Sequence, residues 1–422
     1  MPADPARRAA LDVLTAALTR KAGLESALDA AAFGRLAPQD RAFARALVMA
    51  TLRHLGPIDR ALDARLQRAP PEPVRMILRL GAAQLFHLET PPYAAVDSSV
   101  ALAQTSPETR GFKALVNAVL RRLGREGLGE VDAATYAPAW LFARWRAAYG
   151  DVAALAVAAV IPDEPATDLT PRDPSDAPAL AAALEATPLS GGSLRRAARG
   201  RIEDWPGFAE GRWWVQDAAA AIPARLLAVG PGETALDLCA APGGKTLQLA
   251  AAGAAVTAVD RSSARLGRLA EALARTGLSA EVVAAEAETW ADARCFDAVL
   301  LDAPCTSSGT FRRNPDVLWT LRPGDIARLA EVQSRLLDAA ALRVKPGGRL
   351  LYCVCSLEPE EGEAQARDFL KRQPGFTTLP AGPGEGGAPP ASLTPEGWLR
   401  LLPHQLDGGM DGFFVARFRR AG

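Results

Sequence analysis

The chain has 422 residues, of which 49% are apolar, so it can build two or three domains with sizeable cores. Its apolar runs fall short of the about 18 residues that a membrane-spanning helix needs, and the amphipathic N-terminal stretch does not resemble a signal peptide. All five cysteines lie after residue 238, and an odd, clustered set favours a reducing cytoplasm over a disulfide framework.

Charge sums to zero but is unevenly distributed along the chain. Residues 1–150 carry 20 Lys and Arg against 14 Asp and Glu, and residues 151–422 carry 28 against 34. A basic half joined to an acidic half favours a polyanionic partner for the first half, although solvated helix faces produce the same imbalance. The three histidines are scattered and no Cys-x-x-Cys occurs, so no metal site is predicted.

The first third of the chain has the apolar spacing of helices, interrupted by turns rich in Pro and Gly. We predict an all-α domain over residues 1–137. Because no catalytic set of residues occurs in it, we expect this domain to bind a partner. The apolar faces that carry this prediction are Leu11, Leu14 and Leu18; Val74, Ile77, Leu78, Gly81, Leu85 and Leu88; and Phe112, Leu115, Val116, Val119, Leu120 and Leu123.

Three arginines, Arg121, Arg122 and Arg125, follow the last of these apolar faces. They are candidate phosphate contacts, and solvated surface arginines are the plainer interpretation.

Residues 138–222 have a mixed pattern that predicts a small α+β connector domain. A helix around Trp140–Tyr149 precedes a strand-like Thr167–Leu169, and an Ala-rich helix over Ala179–Ala186 is expected to stop before Pro188.

Residues 223–422 alternate between short apolar runs and helical patterns. Alternation of this kind predicts a mostly parallel, doubly wound sheet that binds its ligand beyond the carboxyl ends of the central strands. The predicted strands are Ala235–Leu238, Val256–Val259, Glu281–Ala285, Phe296–Asp302, Arg349–Cys355 and Phe413–Phe418.

The segment TALDLCAAPGGKT joins the first of these strands to a helix through a turn of small residues. A phosphate-binding P-loop needs a Gly five residues before Gly244, where Cys239 lies, and the G-x-G-x-x-G fingerprint fails because Ala235 occupies its third position. The turn fits the S-adenosylmethionine site of doubly wound methyltransferases, with Asp260 at the end of the second strand placed for a ribose. An ordinary strand-to-helix turn remains the alternative.

Three predicted strands are followed by or end in a cysteine, namely Cys239, Cys305 and Cys355. If the fourth and fifth strands pair, Cys305 and Cys355 face one cleft with Asp302 beside them, because paired strands lie about 4.8 Å apart. A buried cysteine at a strand end is usually only a small apolar residue.

The motifs LDLCAAPGGKT, VLLDAPCTSSGTFRRNPD, YCVCSLEPEEGE and DGFFVARF resemble those of the Nop/Sun family of RNA cytosine-5 methyltransferases over about residues 211–420. The helical stretch with GFKALVNAVLRRL resembles a NusB-like RNA-binding domain. The resemblance implies a Rossmann-like methyltransferase domain over residues 223–422 that acts on 16S ribosomal RNA with S-adenosylmethionine, as a cytoplasmic monomer.

The resemblance also implies roles for residues that match the family's motifs. Cys355 is implied as the nucleophile, Cys305 as the thiol that helps release the product, Asp302 as the contact to the cytosine ring and Lys245 as the active-site lysine. Arg312 joins the three N-terminal arginines as an implied RNA contact. The implied cofactor contacts are Cys239, Ala240, Ala241, Pro242, Gly243, Gly244, Lys245, Asp260, Arg265, Glu286 and Asp302.

The chain departs from the family pattern at two places. Val354 precedes the nucleophile where the family has Thr, and Cys353 is expected on the same strand face as Cys355 because side chains two residues apart point the same way. Glu286 stands where the family has Asp.

Two other functions are compatible with parts of the sequence. A DNA cytosine-5 methyltransferase would use the Pro304–Cys305 pair as its nucleophile, but the EPEE segment after Cys355 and the helical domain disfavour it. A non-catalytic RNA-binding protein of the antitermination type is disfavoured by the intact cofactor and cysteine motifs.

Overall fold

The computed structural model describes residues 4–19, 23–197 and 200–422. It divides into two compact units. The first consists of residues 1–163 together with Phe311–Leu321, and the second consists of Glu164–Thr310 together with Arg322–Gly422. The division into three domains at residues 137/138 and 222/223 stays a prediction. Residues 138–163 of the predicted connector belong to the first unit, and residues 164–222 share the second unit with the methyltransferase sheet.

The helices are numbered here in chain order. They are α1 (Pro5–Thr19), α2 (Gly23–Leu28), α3 (Ala31–Gly34), α4 (Pro38–Arg53), α5 (Leu55–Asp63), α6 (Glu72–Phe86), α7 (Pro92–Gln104), α8 (Pro107–Arg110), α9 (Lys113–Glu126), α10 (Ala139–Ala159), α11 (Ala177–Leu184), α12 (Ala218–Leu227), α13 (Gly244–Ala251), α14 (Ser263–Thr276), α15 (Val317–Thr320), α16 (Pro323–Leu342) and α17 (Glu363–Arg372). In the described ranges, no helix is both long and apolar enough to cross a membrane.

The strands form one small and one large sheet. They are β1 (Thr167–Pro171), β2 (Thr187–Pro188), β3 (Leu194–Arg196), β4 (Trp213–Val215), β5 (Thr234–Leu238), β6 (Ala255–Asp260), β7 (Glu281–Ala284), β8 (Phe296–Asp302), β9 (Val344–Val354), β10 (Phe376–Thr378), β11 (Leu399–Leu401) and β12 (Phe413–Arg420). The small sheet is antiparallel with the order β2-β3-β1-β4. The large sheet has the order β10-β12-β9-β8-β5-β6-β7, with β11 paired to β12.

The first unit is an all-α bundle whose helices bury the apolar faces that the sequence predicts. In α9 the buried side chains are Val116, Val119, Leu120 and Leu123, a spacing that places them on one helical face. Gly127, with φ of 76°, ends this helix in a backbone conformation that glycine adopts without strain.

The segment Phe311–Leu321 belongs to the first unit although it lies between two elements of the large sheet in sequence. Its Asp316 carboxylate accepts from the Leu24 backbone N–H at 2.9 Å, and the Trp319 indole donates to the Leu52 carbonyl at 3.1 Å. Trp319 also packs against the apolar core of the bundle. The chain therefore leaves the second unit just after residue 310 and returns to it at residue 322.

The large sheet is parallel from β7 through β6, β5 and β8 to β9, and antiparallel where β12 joins β9. Its faces are covered by helices on both sides. Side chains of α12 and α13 pack on one face and those of α16 and α17 on the other. The order of the strands reverses between β5 and β8, since the chain runs outward from β5 through β6 to β7 and then returns to β8 on the other side of β5. Such a switch point opens a crevice at the carboxyl ends of the two strands.

The predicted fold class is confirmed, and the structure corrects several element limits. Strand β9 begins at Val344, five residues before the predicted start, and ends at Val354, so Cys355 lies just beyond it. Helix α11 ends at Leu184, because Glu185 adopts a left-handed backbone. Strands β2, β3, β4, β10 and β11 were not predicted, because each has only two or three residues, too few for an alternating pattern to be read.

Candidate active site

Two cysteines lie against each other at the carboxyl edge of the large sheet. Pairing of β8 with β9 places Asp302 opposite Cys353, so the loop after β8 lies beside the end of β9. The Gly309 N–H donates to the Cys355 carbonyl at 3.0 Å and holds the loop there. The sulfur atoms of Cys305 and Cys355 are 3.5 Å apart, and both side chains are partly exposed. The fourth and fifth predicted strands, which are β8 and β9, therefore pair as the cleft between Cys305 and Cys355 requires.

The two thiols are not equivalent electrostatically. A hydrogen bond from Cys305 lowers the pKa of Cys355, and the Ser307 hydroxyl, 3.6 Å away, adds to this effect. The same hydrogen bond, together with burial, raises the pKa of Cys305 well above its usual value. A thiolate is the nucleophilic form of cysteine, so this arrangement favours Cys355 as the attacking group.

Cys353 has a different environment. It is fully buried, and its sulfur lies 3.5 Å from Asp302 Oδ1. Burial and the Asp302 carboxylate raise the pKa of Cys353 well above its usual value. A thiol in these surroundings stays protonated, and it packs as a small apolar side chain.

Lys245 forms an ion pair with Asp302 at the same edge of the sheet. Its Nζ lies 2.7 Å from Asp302 Oδ2, and the lysine is 8% exposed. Burial acts to lower the pKa of Lys245, but Asp302 together with Cys353 and Asp237 outweighs it, and the net pKa is raised. Lys245 therefore carries a full positive charge beside the predicted ring contact.

The turn after β5 is built from residues that bring its backbone close to its neighbours. The Ala240 N–H donates to the Val259 carbonyl at 3.1 Å, and the Ala241 N–H donates to Asp260 Oδ2 at 3.1 Å. Gly243 has φ of 112°, and a Cβ at this position would lie 2.4 Å from Leu269 Cδ1. Glycine is therefore required there, because the Leu269 side chain fills the position of a Cβ and because the backbone is left-handed.

Other predicted cofactor residues lie around this turn with different degrees of exposure. Asp260 is 4% exposed and also accepts from the Ser262 N–H at 2.8 Å. Arg265 donates to the Ala241 carbonyl and lies 3.9 Å from Asp260. Glu286 is exposed just beyond β7. Burial raises the pKa of Cys239 to about 12, so its thiol is an unreactive part of the turn.

A buried carboxylate beneath the two cysteines holds both of their loops. Glu361 is fully buried and accepts from the Thr306 N–H at 3.0 Å, from the Ser356 hydroxyl and from Gln333 Nε2 at 2.9 Å. Thr306 follows Cys305, and Ser356 follows Cys355. The sequence analysis used Glu361 only as part of a motif. The signal available in the sequence was a Glu a few residues after Cys355, which can fold back to hold the loops that carry the two cysteines.

Comparisons with known proteins assign the chain to a family. The family described as 16S rRNA methyltransferase RsmB/F matches residues 224–419, and the NusB family matches residues 4–125. A relative from Xanthomonas campestris pv. campestris, named ribosomal RNA small subunit methyltransferase B, is 36% identical over 98% of this chain and 97% of its own length. A relative of the same name from Pseudomonas syringae pv. tomato is 36% identical over 97% and 96%. The chain belongs to the 16S rRNA methyltransferase RsmB/F family.

Solved structures agree with this assignment. The crystal structure of PH0851 superposes with a TM-score of 0.79 over the whole of both chains at 24% identity, which shows the fold. A methyltransferase homologue from Pyrococcus horikoshii superposes with a TM-score of 0.55 at 27% identity, over 66% of this chain and 94% of its own. The predicted resemblance is thus confirmed, including the NusB-like N-terminal region.

As a member of the RsmB/F family, the chain is a ribosomal RNA methyltransferase that uses S-adenosylmethionine. The turn after β5 fits this group, since it is built from the small residues Ala240 to Gly244 and Asp260 lies at the end of the neighbouring β6. Neither feature depends on a metal. Among the described residues, no group of three His, Cys, Asp or Glu side chains is arranged to hold a metal ion.

The predicted RNA contacts lie in the first unit. Arg121, Arg122 and Arg125 are exposed on α9, where Arg121 donates to Asn117 and Arg122 pairs with Glu126. Arg312 differs from them because it is only 2% exposed. Its burial does not fit the predicted phosphate contact, which needs an accessible guanidinium.

Proposed function

We propose that the protein transfers a methyl group from S-adenosylmethionine to carbon 5 of a cytosine in 16S ribosomal RNA through a covalent adduct between Cys355 and carbon 6. The observation that carries this proposal is the 3.5 Å contact between the Cys305 and Cys355 sulfurs, in which the hydrogen bond favours the Cys355 thiolate. Cytosine carbon 5 is a poor nucleophile, and a covalent adduct divides one difficult step into two easier ones.

In the first step the Cys355 sulfur forms a bond to carbon 6, and the electron pair of the ring double bond becomes available at carbon 5. A proton or hydrogen bond at ring nitrogen 3 lowers the barrier to this addition. The Lys245–Asp302 pair is proposed as the source of this proton or hydrogen bond, because the Lys245 ammonium nitrogen lies 2.7 Å from an oxygen of Asp302, whose carboxylate is only partly buried.

S-adenosylmethionine, when bound, supplies the methyl group that carbon 5 takes up. Residues of the turn after β5, with Asp260, Arg265 and Glu286 around it, are the ones that would hold it. Release then transfers the proton on carbon 5 to a base such as solvent water. The electron pair of the broken carbon–hydrogen bond restores the ring double bond and expels Cys355 as its thiolate. Cys305 is assigned to assist this release, because its sulfur touches that of Cys355.

Bisulfite mapping of 16S ribosomal RNA tests the proposed reaction. RNA from a strain that lacks the gene is compared with RNA from the same strain that expresses either the natural protein or Cys355→Ala. We expect one cytosine to resist conversion only when the natural protein is present. A methylated base that is not 5-methylcytosine, or full modification by Cys355→Ala, would contradict the proposal.

The first unit is proposed to bind the RNA, with Arg121, Arg122 and Arg125 as phosphate contacts. Their exposure on one helix supports this role. Replacing the three by Ala together is expected to flatten the dependence of RNA affinity on salt, because each phosphate contact releases counterions. An unchanged slope would mean that these arginines are only solvated. We also propose that the protein acts as a monomer in the cytoplasm.

A DNA cytosine-5 methyltransferase would use Cys305 as its nucleophile. The direction of the pKa shifts disfavours this alternative, because the Cys305 thiol is held protonated by Cys355.

A further inference from the structure

The second unit contains a cavity that lies away from the cysteines. Its volume is about 310 Å³, at the lower end of the range for small-molecule sites. It lies where the C-terminal turns of α12 and α13 meet the end of β1. Because α12 leads into β5 and α13 leads into β6, this is the amino edge of the large sheet, opposite the edge that carries Cys355.

Two arginines give the cavity its charge. Arg172 and Arg225 both line it, and no Asp or Glu is among its lining residues. The Arg225 Nη2 donates to the Ser193 hydroxyl at 2.8 Å, and none of the described residues forms an ion pair with Arg225. The Arg172 Nη1 donates to the Thr276 carbonyl at 2.9 Å. Arg225 therefore keeps uncompensated positive charge, whereas Arg172 also interacts with the carboxylate of the adjacent Asp173.

A second cavity at the same edge provides an internal contrast. It is lined by Arg294 and Glu281, whose side chains pair at 2.7 Å, and Arg294 also pairs with Asp292. Arg294 is therefore neutralised by carboxylates, whereas Arg225 is not. Burial in turn lowers the pKa of Arg225 to about 10, a cost that an anion beside it would relieve.

The remaining walls of the cavity are suited to an apolar body. Trp214, Ala224 and Val229 contribute to them, and the Trp214 indole N–H is already bound to Gln216 at 2.8 Å. Gly191 allows its backbone to pack closely on Arg225, since a Cβ there would lie 2.8 Å from Arg225 Nη1 and 2.7 Å from the Gly386 carbonyl oxygen. The C-terminal turns of two helices add partial negative charge, about half a charge each, which is less than the two full positive charges of the arginines.

From this combination of two guanidinium groups, no carboxylate and an apolar wall, we infer that the cavity binds one nucleotide of the substrate RNA, with its phosphate on Arg172 and Arg225 and its nucleoside against the wall around Trp214. The inference rests on the proposed function, because it takes RNA as the ligand. It adds an RNA contact at the sheet edge opposite the chemistry, so the bound RNA must extend well beyond the target cytosine.

The test measures the affinity of the full-length protein for an unmethylated 16S ribosomal RNA transcript over a series of KCl concentrations. Arg225→Ala is expected to weaken binding by about 3- to 10-fold and to lower the salt slope by roughly 0.7–0.9, the value for one lost phosphate contact. Arg294→Ala is the matched control, because it removes the same charge at the same sheet edge. An equal slope for Arg225→Ala and the natural protein would overturn the inference, as would an equal loss in Arg294→Ala.

Two variants of Ala228 that differ only in charge test the cavity without removing the Arg225 side chain. Ala228 is exposed at the cavity and has φ of 52°, a left-handed conformation that Asp and Asn tolerate. Ala228→Asp adds a negative charge to the cavity, whereas Ala228→Asn adds the same shape without charge. We expect the Asp variant to bind the transcript more weakly than the Asn variant, with a lower salt slope. Equal affinities of the two would contradict the inference.

Two further measurements separate the possible ligands and the two proposals. RNA carrying photoreactive 4-thiouridine is expected to cross-link to the tryptic peptide spanning residues 213–225. If cytidine 5′-monophosphate binds in an Arg225-dependent way while the RNA salt slope stays unchanged, the ligand is a free nucleotide and the RNA assignment is wrong. Methyl transfer at saturating RNA should persist in Arg225→Ala. Failure of the cavity proposal would therefore appear in RNA affinity, whereas failure of the proposed Cys355 chemistry would appear in methyl transfer by the natural protein.

Discussion

Cys353 and Cys355 are two residues apart at the end of one strand, yet their surroundings favour opposite protonation states. Cys353 is fully buried and faces the Asp302 carboxylate, which raises its pKa. Cys355 is partly exposed and faces the Cys305 thiol, which lowers its pKa. Strand alternation places both on one face, so position alone does not identify the nucleophile. The nucleophile is identified by the charge of the group beside each thiol and by the exposure of the thiol itself.

The largest effect on this contrast is expected from removing the positive charge of Lys245, which pairs with the Asp302 carboxylate beside Cys353. Lys245→Met keeps the length of the side chain but leaves Asp302 without its 2.7 Å partner. We expect kcat/KM for methyl transfer to fall by about 10²–10³, the effect of losing one preorganised charge in an active site. Single-turnover kinetics with labelled cofactor measures the effect, and calorimetry reports separately on cofactor binding.

Lys345→Met is the matched control for this variant. Lys345 pairs with Asp297 at 2.9 Å, and the pair lies at the amino edge of the same sheet, where β8 begins. Activity of Lys345→Met should stay close to that of the natural protein. If Lys245→Met retained activity within about threefold, the pair would be structural only.

A buried carboxylate near Lys245 and Asp302 predicts a dependence of stability on pH. Asp237 is fully buried, and burial raises its pKa to about 7, against 3.8 when it is exposed. Because the folded-state pKa is the higher one, its contribution to stability is complete below about pH 4 and is lost as pH rises towards 7. Asp237→Asn should remove this loss, which amounts to at most a few kcal/mol.

Denaturant unfolding of the natural protein and Asp237→Asn between pH 4 and 8 checks this expectation. The difference in unfolding free energy should shift in favour of the variant as pH rises. Asp297 should show the opposite dependence, because hydrogen bonds from Thr234 lower the pKa of its carboxyl. The stability that Asp297 contributes is therefore lost as pH falls, and the stability of Asp297→Asn should lack this loss at low pH. Parallel curves for the natural protein and Asp237→Asn would mean that Asp237 does not titrate in this range.

The smallest effect is expected from Cys353→Ala. A protonated, buried thiol takes no part in the proposed chemistry, so activity should stay within about threefold of the natural value. Stability should fall by about 1 kcal/mol, as for other small buried side chains. Loss of all activity in a folded Cys353→Ala protein would move the nucleophile two residues towards the N-terminus.

Much of the site could be predicted because it lies where parallel strands end. The ends of β5, β8 and β9 meet at one edge of the sheet, so the neighbourhood of Asp302, Cys305 and Cys355 follows from the order of strands and helices. The resemblance to the Nop/Sun family then supplied the roles, which strand order alone cannot give.

The features that the sequence analysis missed depend on partners distant in the chain. Asp316 bonds to the Leu24 backbone and Trp319 to the Leu52 carbonyl, and no local pattern in Phe311–Leu321 indicates that this segment belongs to the first unit. Likewise, the Lys245–Asp302 pair joins residues of two different strand–helix turns. Short strands such as β4 and β11 form because a longer neighbour offers hydrogen bonds, not because of their own periodicity.

The central claim is that Cys355 attacks the base and Cys305 assists its release. It is tested most directly by denaturing electrophoresis of single-cysteine variants after incubation with 16S ribosomal RNA and S-adenosylmethionine. Cys305→Ala should still attack and transfer the methyl group but stall before release, and it should therefore accumulate a protein–RNA adduct that survives denaturation. Cys355→Ala should form none. An adduct that accumulates in Cys355→Ala and is absent in Cys305→Ala would contradict the account.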